Sequence, residues 1–141
     1  KSVIGLFADN VVTDHDCNLC DTCSYAAVAA IITSKIPKWE IKDDKPVLME
    51  DQESDTPITT IPVSVTMGRI DDFIISDPNL DEWECLDARI TITTNSDGNI
   101  VALQKGGKNG FTLDQIVKCS EISISSGSKI REIIKQATQS N

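Results

Sequence analysis

The sequence contains few aromatic residues, little positive charge and a single histidine. Aromatic side chains make up 4% of the 141 residues, and the formal net charge is −9. A protein that binds nucleic acid by itself usually presents a basic surface, because the neutralisation of phosphates supplies most of the non-specific affinity. The composition argues against such a protein. Any role on RNA would need cationic surface from partners, or a few local lysines and arginines.

The sequence also lacks any long apolar run and any secretory signal. No apolar run approaches the roughly 18 residues that would suggest a membrane-spanning helix. Residues 1–6 do not have the charged-then-apolar order of a signal peptide. They contain no initiator methionine and enter a strand-like run at once, so we expect the chain to be part of a longer protein with no membrane partner. An odd number of cysteines, five, favours a reducing intracellular compartment.

The first part of the chain predicts one strand, one helix and a connector. Residues 3–14 are rich in Val, Ile and Phe, which predicts a buried strand. Residues 24–34 are rich in alanine, which predicts a helix that packs closely against a neighbour and is stopped by Pro37. Residues 40–60 are polar and contain two prolines. They predict a connector with at most one short edge strand, at residues 47–49.

The remainder of the chain alternates between strand and helix patterns. Residues 61–67 alternate apolar with polar side chains, which predicts a half-buried strand. A later hairpin is expected to turn at Gly98 with a positive φ, and Thr112 and Gln115 have the spacing of a helix capping box. The predicted order is an α+β unit, β-β-α-β-β-α: strands at 61–67 and 73–75, a short helix within 79–86, strands at 88–93 and 99–105, and a helix at 113–137.

The spacing Cys17-x-x-Cys20-x-x-Cys23 suggests a metal or iron–sulfur site, because thiolates three residues apart can converge on one ion. The fourth ligand is missing locally and would have to come from His15 or a distant cysteine. The alternative is that the cysteines pack as small apolar side chains at a strand-to-helix junction. His15 is expected to be a solvated turn residue rather than a catalytic base.

Two other polar segments suggest ligand binding. Residues 106–110, Gly-Gly-Lys-Asn-Gly, precede the predicted long helix as phosphate-binding loops do, and Lys108 would add charge. The loop lacks the Walker spacing, so a flexible connector is the alternative, and contact with an RNA phosphate stays open. An acidic run could hold Mg²⁺ or act as acid and base, although such runs are usually solvated faces. Its members are Asp77, Asp81, Glu82, Glu84 and Asp87.

Five blocks spread along nearly the whole chain follow the order of one known family. Residues 16–30 read Asp-Cys-Asn-Leu-Cys-Asp-Thr-Cys-Ser-Tyr-Ala-Ala-Val-Ala-Ala, where the family has D-G-N-L-x-D-A-x-S-x-A-A-x-A-A. The other blocks are residues 61–66, 77–78, 86–92 and 102–107. In these blocks the chain resembles the RNase-PH-like ring subunits of the RNA exosome. The resemblance is to the ribosomal-RNA-processing proteins forty-two, forty-three and forty-five and to the non-catalytic archaeal second ring subunit.

The resemblance implies a layout in two parts. Residues 1–45 would be the C-terminal part of RNase-PH-like subdomain one, and residues 46–56 would be a connector. Residues 57–141 would be the whole of subdomain two, with the order β-β-α-β-β-α.

The resemblance also implies which site residues have been lost. Catalytic members carry Gly-Ser/Thr-Arg where residues 18–20 here read Asn-Leu-Cys, and in those members the arginine and its neighbour bind the attacking phosphate. Cys20 cannot replace the fixed charge and the donor fork of a guanidinium. Catalytic members also use two aspartates six residues apart, the second followed by an apolar residue and proline. Asp81 and Asp87 keep this spacing, but Ala-Arg follows Asp87.

We therefore expect a non-catalytic structural subunit of a six-membered exosome ring that supports 3′-to-5′ RNA degradation and processing, including that of ribosomal RNA. Its partners would be other RNase-PH-like ring subunits and RNA passing through the ring, in the nucleus, the nucleolus and the cytoplasm, with no cofactor and no metal. No catalytic residue is expected, and Arg89, Lys105 and Lys108 are the candidates for RNA-facing or interface residues. Two alternatives stay open: a phosphorolytic 3′-to-5′ exoribonuclease subunit that uses Asp81 and Asp87, and a Cys-cluster metal-binding module.

Overall fold

The computed structural model describes residues 5–139, with the backbone alone at residues 50 and 51. Its elements are α1 (Leu19–Thr33), β1 (Lys35–Lys42), β2 (Lys45–Asp55), β3 (Val63–Ile70), β4 (Phe73–Ser76), α2 (Leu80–Glu84), β5 (Ala88–Thr94), β6 (Ile100–Gly107) and α3 (Leu113–Gln139). The strands form two antiparallel sheets, a two-stranded sheet β1–β2 and a four-stranded sheet in the order β4–β3–β5–β6. From β3 onward the order is β-β-α-β-β-α, so the predicted α+β unit is confirmed.

The main core lies between one face of the four-stranded sheet and α3. Val65 and Met67 of β3, Ile90 and Ile92 of β5, and Cys119 of α3 form its buried cluster. These strand residues alternate along the chain because successive side chains of a strand point to opposite faces of the sheet. The apolar alternation in the sequence therefore identified the face that α3 covers.

Strand β3 is buried on both faces, which corrects the prediction of a half-buried strand. Residues 63–68 are all buried, including the polar Ser64 and Thr66. Helix α1 covers this second face, and the hydroxyl groups there bond across the sheet. Ser64 Oγ lies 2.9 Å from Thr93 Oγ1, and Thr66 Oγ1 lies 2.8 Å from Thr91 Oγ1. Hydrogen bonding allows polar side chains to be buried at low cost.

Helix α3 has two polar features: a capping box at its start and a buried arginine that contacts the sheet further along. The predicted capping box is present: the Thr112 backbone N–H donates to Gln115 Oε1 at 2.9 Å, and the Gln115 N–H donates to Thr112 Oγ1 at 3.2 Å. Further along the helix, the buried Arg131 guanidinium donates to Thr94 Oγ1 at 3.1 Å and to the Asn95 carbonyl at 2.7 Å. Arg131 thus joins α3 to the end of β5.

The N-terminal segment is not the buried strand that its composition predicts. Residues 5–12 form no strand and are exposed, and Phe7 is 95% exposed; residues 3 and 4 lie outside the described residues. A strand needs a neighbour that accepts and donates its backbone hydrogen bonds. No strand of the described part of the chain pairs with this segment.

Residues 35–55 form a long hairpin, where the sequence predicted an irregular connector with at most one short edge strand. Helix α1 ends at Thr33, and Pro37 lies within β1 rather than at the end of the helix. The turn uses Asp43 and Asp44, both with positive φ, 50° and 58°. Such a turn suits two-residue hairpins, although Asn-Gly is its commoner sequence. The division of the chain into residues 1–45, 46–56 and 57–141 stays a prediction.

Candidate functional site

A cleft of about 330 Å³ opens between the start of α1 and the face of β5 and β6 that α3 does not cover. Cys20, which the resemblance places where catalytic members carry arginine, lines this cleft. The remaining lining residues are His15, Cys17, Asn18, Leu19, Trp83, Arg89, Thr91, Gln104 and Gly106. The cleft is therefore the place where this chain's departures from the catalytic pattern meet.

The backbone turns sharply just before α1, and hydrogen bonds of the Asn18 side chain stabilise this turn. Cys17 and Asn18 both have positive φ, 66° and 32°, a region that few residues other than glycine and asparagine adopt. Asn18 makes no capping bond to the helix. Its Nδ2 instead donates to Asp21 Oδ2 at 3.0 Å and to Asp77 Oδ1 at 2.6 Å. These bonds fix the first turn of α1 against the segment before α2.

Asp21 fastens α1 to strand β3. Its Oδ2 accepts the Thr66 backbone N–H at 2.6 Å, and its Oδ1 accepts the Thr66 hydroxyl at 2.8 Å. The side chain is 3% exposed. Charged acceptors make stronger hydrogen bonds than neutral ones, so this buried carboxylate determines where the start of α1, and with it the wall of the cleft, lies on the sheet.

Tyr25 adds a second connection one turn further along α1. Its hydroxyl donates to the Ser64 carbonyl at 2.5 Å. Burial raises the pKa of Tyr25 well above its usual range, and the nearby negative charges of Asp21 and Asp77 raise it further. The hydroxyl therefore stays protonated and keeps donating at any physiological pH.

Arg89 projects into the cleft, on the face opposite Ala88 and Ile90 as the strand alternation predicted. Its guanidinium lies 4.7 Å from the centre of the Trp83 ring, in cation–π geometry. It also lies flat over Gly106, where an added Cβ would come within 2.6 Å of Arg89 Nε. Among residues 5–139, Arg89 has no ion pair with a carboxylate. The cleft thus contains an exposed cation that packs between the Trp83 ring and the Gly106 backbone.

The other two candidate cations lie elsewhere. Lys105 pairs with Ile90 across the strands, so it lies on the α3 face of the sheet and not on the face of Arg89. Its Nζ donates to the Gly107 carbonyl at 2.6 Å. Lys108 is exposed in the loop that follows β6. Arg89 and Lys105 therefore lie on opposite faces of the sheet.

The two candidate carboxylates are also separated from the cleft lining. Asp81 is exposed on α2, and neither it nor Asp87 lines the cleft. Asp87 Oδ2 accepts the Asp71 backbone N–H at 2.9 Å and lies 3.7 Å from Arg69 Nη1. Its Oδ1 accepts Asn109 Nδ2 at 3.2 Å. Asp87 thus connects the β3–β4 turn to the loop before α3.

The remaining segments singled out in the sequence have local structural roles. Gly106 and Gly107 end β6, and the Asn109 N–H donates to the Asp87 carbonyl at 3.2 Å. In the acidic run, Glu82 completes a capping box with Asn79 at the start of α2.

The cysteine cluster is not the packed junction that was the alternative to a metal site. Cys20 is exposed, and Cys17 and Cys23 are half-buried. Within residues 5–139, no three or more His, Cys, Asp or Glu side chains are grouped so that they could hold a metal ion. The prediction that Cys17, Cys20 and Cys23 bind no metal stays a prediction, which elemental analysis of the purified protein would test.

Comparisons with known proteins agree with this geometry. Residues 60–126 match the 3′ exoribonuclease family, domain 2. The chain is similar to this family over that segment. It is 38% identical to Exosome complex component Rrp42 of Thermococcus gammatolerans over 99% of its own length and 52% of that protein. The RNase-PH-like resemblance read from the sequence blocks is therefore confirmed.

Solved structures show the same fold. A chain of an archaeal exosome core superimposes with a TM-score of 0.74 at 31% identity, over 86% of this chain and 47% of that one. A chain of an Archaeoglobus fulgidus exosome with RNA bound to the active site gives a TM-score of 0.72 at 33% identity, over 84% and 44%. This chain spans about half the length of the curated relatives it matches. Within residues 5–139, no helix is both long and apolar enough to cross a membrane.

Proposed function

We propose that the full-length protein is a structural, non-catalytic subunit of an exosome ring that supports 3′-to-5′ RNA degradation. The observation that carries the proposal is the chemistry of the cleft. Its wall has Cys20 where phosphorolysis would need a phosphate-binding arginine, and neither Asp81 nor Asp87 lines it.

The chemistry that the cleft lacks is specific. Phosphorolysis needs a positioned anion-binding fork for the attacking phosphate and a carboxylic acid close to the leaving oxygen. Arg89 supplies one guanidinium, but it comes from β5 and stacks on Trp83. Asp87, the second of the two candidate carboxylates, is held by Asp71, Asn109 and Arg69. Its role here is to hold loops together.

The partners we propose are other RNase-PH-like subunits and RNA that passes through the assembled ring. The net charge of −9 supports this, because a strongly acidic chain gains little from RNA alone and must share the cationic surface of its neighbours. The localisation in the nucleus, nucleolus and cytoplasm, and a role in ribosomal RNA processing, stay predictions that rest on the resemblance.

The first test is phosphate-dependent RNA degradation by the full-length protein alone. We expect no release of nucleoside diphosphates from a 3′-labelled RNA, because the loss of one preorganised cation at developing charge costs about 3–4 kcal/mol of transition-state stabilisation. A catalytic RNase-PH-like protein assayed in parallel is the positive control. Robust phosphorolysis that is lost in both Asp81→Asn and Asp87→Asn would instead support the exoribonuclease alternative.

The second test concerns Arg89 in a reconstituted ring. We propose that Arg89 contributes to assembly or to the RNA path rather than to chemistry, since its guanidinium is exposed and has no carboxylate partner among the described residues. Arg89→Glu should weaken assembly or RNA retention, and the RNA effect should shrink as salt rises if a phosphate is the partner. Lys118→Glu, the same charge reversal at an exposed position on α3, is the matched control. If the ring assembles and retains RNA unchanged across a salt series, Arg89 is an ordinary surface residue.

A further inference from the structure

Two thiols that the proposed function does not use line the same cleft. Cys17 and Cys20 both border it, together with His15. All five cysteines are free, with Cys20 exposed and Cys17 half-buried. When an exposed thiol is oxidised and a second thiol within reach attacks the sulfenic acid, oxidation ends in a disulfide rather than in a higher acid. Cys17 and Cys20 are three residues apart and line one cleft.

We propose that Cys17 and Cys20 are a reversible redox site, which a peroxide oxidises to an intramolecular disulfide across the turn that begins α1. The proposal goes beyond the scaffold function and does not depend on it. It rests on the backbone conformation of residues 17–20, on the shared cleft and on the difference between these two thiols and Cys23.

The backbone favours the pair Cys17–Cys20 over the pair Cys20–Cys23. Cys20 and Cys23 both lie inside α1, where residues three apart have Cβ atoms about 5–6 Å apart. A disulfide requires about 3.5–4.5 Å between Cβ atoms, so bridging them would distort the helix. Cys17 lies before the helix with φ 66° and is not bound to helical spacing. Cys23 does not line the cleft, whereas Cys17 and Cys20 both do.

The turn that carries the two thiols is already ordered. The Cys17 backbone N–H donates to His15 Nδ1 at 3.4 Å, and the Asn18 side chain between the two cysteines is bonded to Asp21 and Asp77. Left-handed backbone at two successive non-glycine residues costs free energy and persists only where its surroundings impose it, and such sites are often functional. These hydrogen bonds keep both thiols at the same turn.

The reaction balances with the peroxide as the only oxidant. The Cys20 thiolate attacks one peroxide oxygen, the O–O bond breaks, and a sulfenic acid forms as the first water leaves with the thiol proton. The Cys17 thiolate then attacks the Cys20 sulfur and displaces hydroxide. The hydroxide takes up the Cys17 proton and leaves as the second water. Overall, two thiols lose two electrons and two protons, and one peroxide becomes two waters. A dithiol reductant reverses the change by exchange.

The experiment is performed on the full-length protein with hydrogen peroxide, followed by alkylation with N-ethylmaleimide and peptide mapping by mass spectrometry. We expect the peptide with Cys17 and Cys20 to lose both maleimide adducts and two hydrogen atoms, and dithiothreitol to restore them. Cys85, which is exposed but outside the cleft, is the internal control and should stay alkylated.

Two variants distinguish a Cys17–Cys20 disulfide from a Cys20–Cys23 disulfide. In Cys23→Ser the disulfide should form as in the unchanged protein, whereas in Cys17→Ser no intramolecular disulfide should form and Cys20 should stop at sulfenic or sulfinic acid. A disulfide that persists in Cys17→Ser, or a Cys20 that oxidises in the unchanged protein while Cys17 remains fully alkylated, would overturn the proposal.

Discussion

The four-stranded sheet and the β1–β2 hairpin contain similar apolar strand residues but bury them very differently. In the sheet, Met67, Ile90 and Ile92 are at most 1% exposed, whereas in the hairpin Ile41 is 75% exposed and Trp39 is 48% exposed. The four-stranded sheet has α3 on one face and α1 on part of the other. The hairpin is a separate two-stranded sheet, and an isolated hairpin is marginal in water. A second layer of structure thus decides whether apolar strand residues contribute to the core.

The largest effect that this comparison predicts is on stability. Ile90→Ala should lower the free energy of unfolding of the 141-residue chain by about 2–5 kcal/mol, because it leaves a cavity under α3. Ile41→Ala in the hairpin is the matched control and should change it by no more than about 0.5 kcal/mol. Urea titration followed by circular dichroism measures both. Equal losses for the two variants would mean that the hairpin is as firmly packed as the sheet, and the comparison would fail.

A smaller loss of stability is expected where α1 is bonded to the four-stranded sheet. Asp21→Ala should cost about 3 kcal/mol of unfolding free energy, because the Thr66 N–H and hydroxyl and the Asn18 amide lose a charged acceptor inside the protein. Glu121→Ala, at an exposed position on α3, is the control and should stay within about 0.5 kcal/mol. The same titration distinguishes them. If the two losses were equal, the buried carboxylate would not hold α1 to β3.

The smallest effect is a pH dependence at Tyr25, the only tyrosine of the chain. Burial raises the pKa of Tyr25 in the folded protein above the value of about 10 in the unfolded chain. Its contribution to stability is therefore complete below about pH 10 and is lost above it, at up to about 1.4 kcal/mol per pH unit, as the unfolded tyrosine ionises first. Unfolding titrations between pH 8 and about 11.5 should show this fall, and Tyr25→Phe should make it less steep than in the unchanged protein. Identical slopes of stability against pH in the unchanged protein and in Tyr25→Phe would show that burial does not raise the pKa of Tyr25.

Local signals predicted most of the region from β3 to α3. The two-residue alternation through β3 and β5, the turn at Gly98 and the capping pair Thr112–Gln115 each act over a few neighbouring residues, and the structure contains all of them. The same reasoning was wrong for residues 5–12 and for the hairpin. A strand-like composition does not say which partner is present, and a turn through Asp43 and Asp44 carries a weaker signal than Asn-Gly.

The site was predicted only in part. The orientation of Arg89 followed from strand alternation alone, and the importance of Cys20 followed from the family pattern. The contacts of Asn18 and Asp21 could not be predicted in the same way, because Asn18 bonds Asp77 59 positions away and Asp21 bonds Thr66 45 positions away. Asp87 was predicted as a possible acid, but only the folded chain brings Asp71 and Asn109 to its two oxygens.

The glycine beneath Arg89 has a consequence for how such a surface can change during evolution. A methyl group at position 106 would come within 2.6 Å of Arg89 Nε and would have to push the guanidinium off the strand and away from Trp83. The obstacle is the end of a flexible side chain rather than backbone, so the fold would survive the change while the charge moved. Gly106 and Arg89 are therefore expected to vary as a pair: lineages that lose the arginine are free to lose the glycine, whereas lineages that keep the stacked cation must keep both.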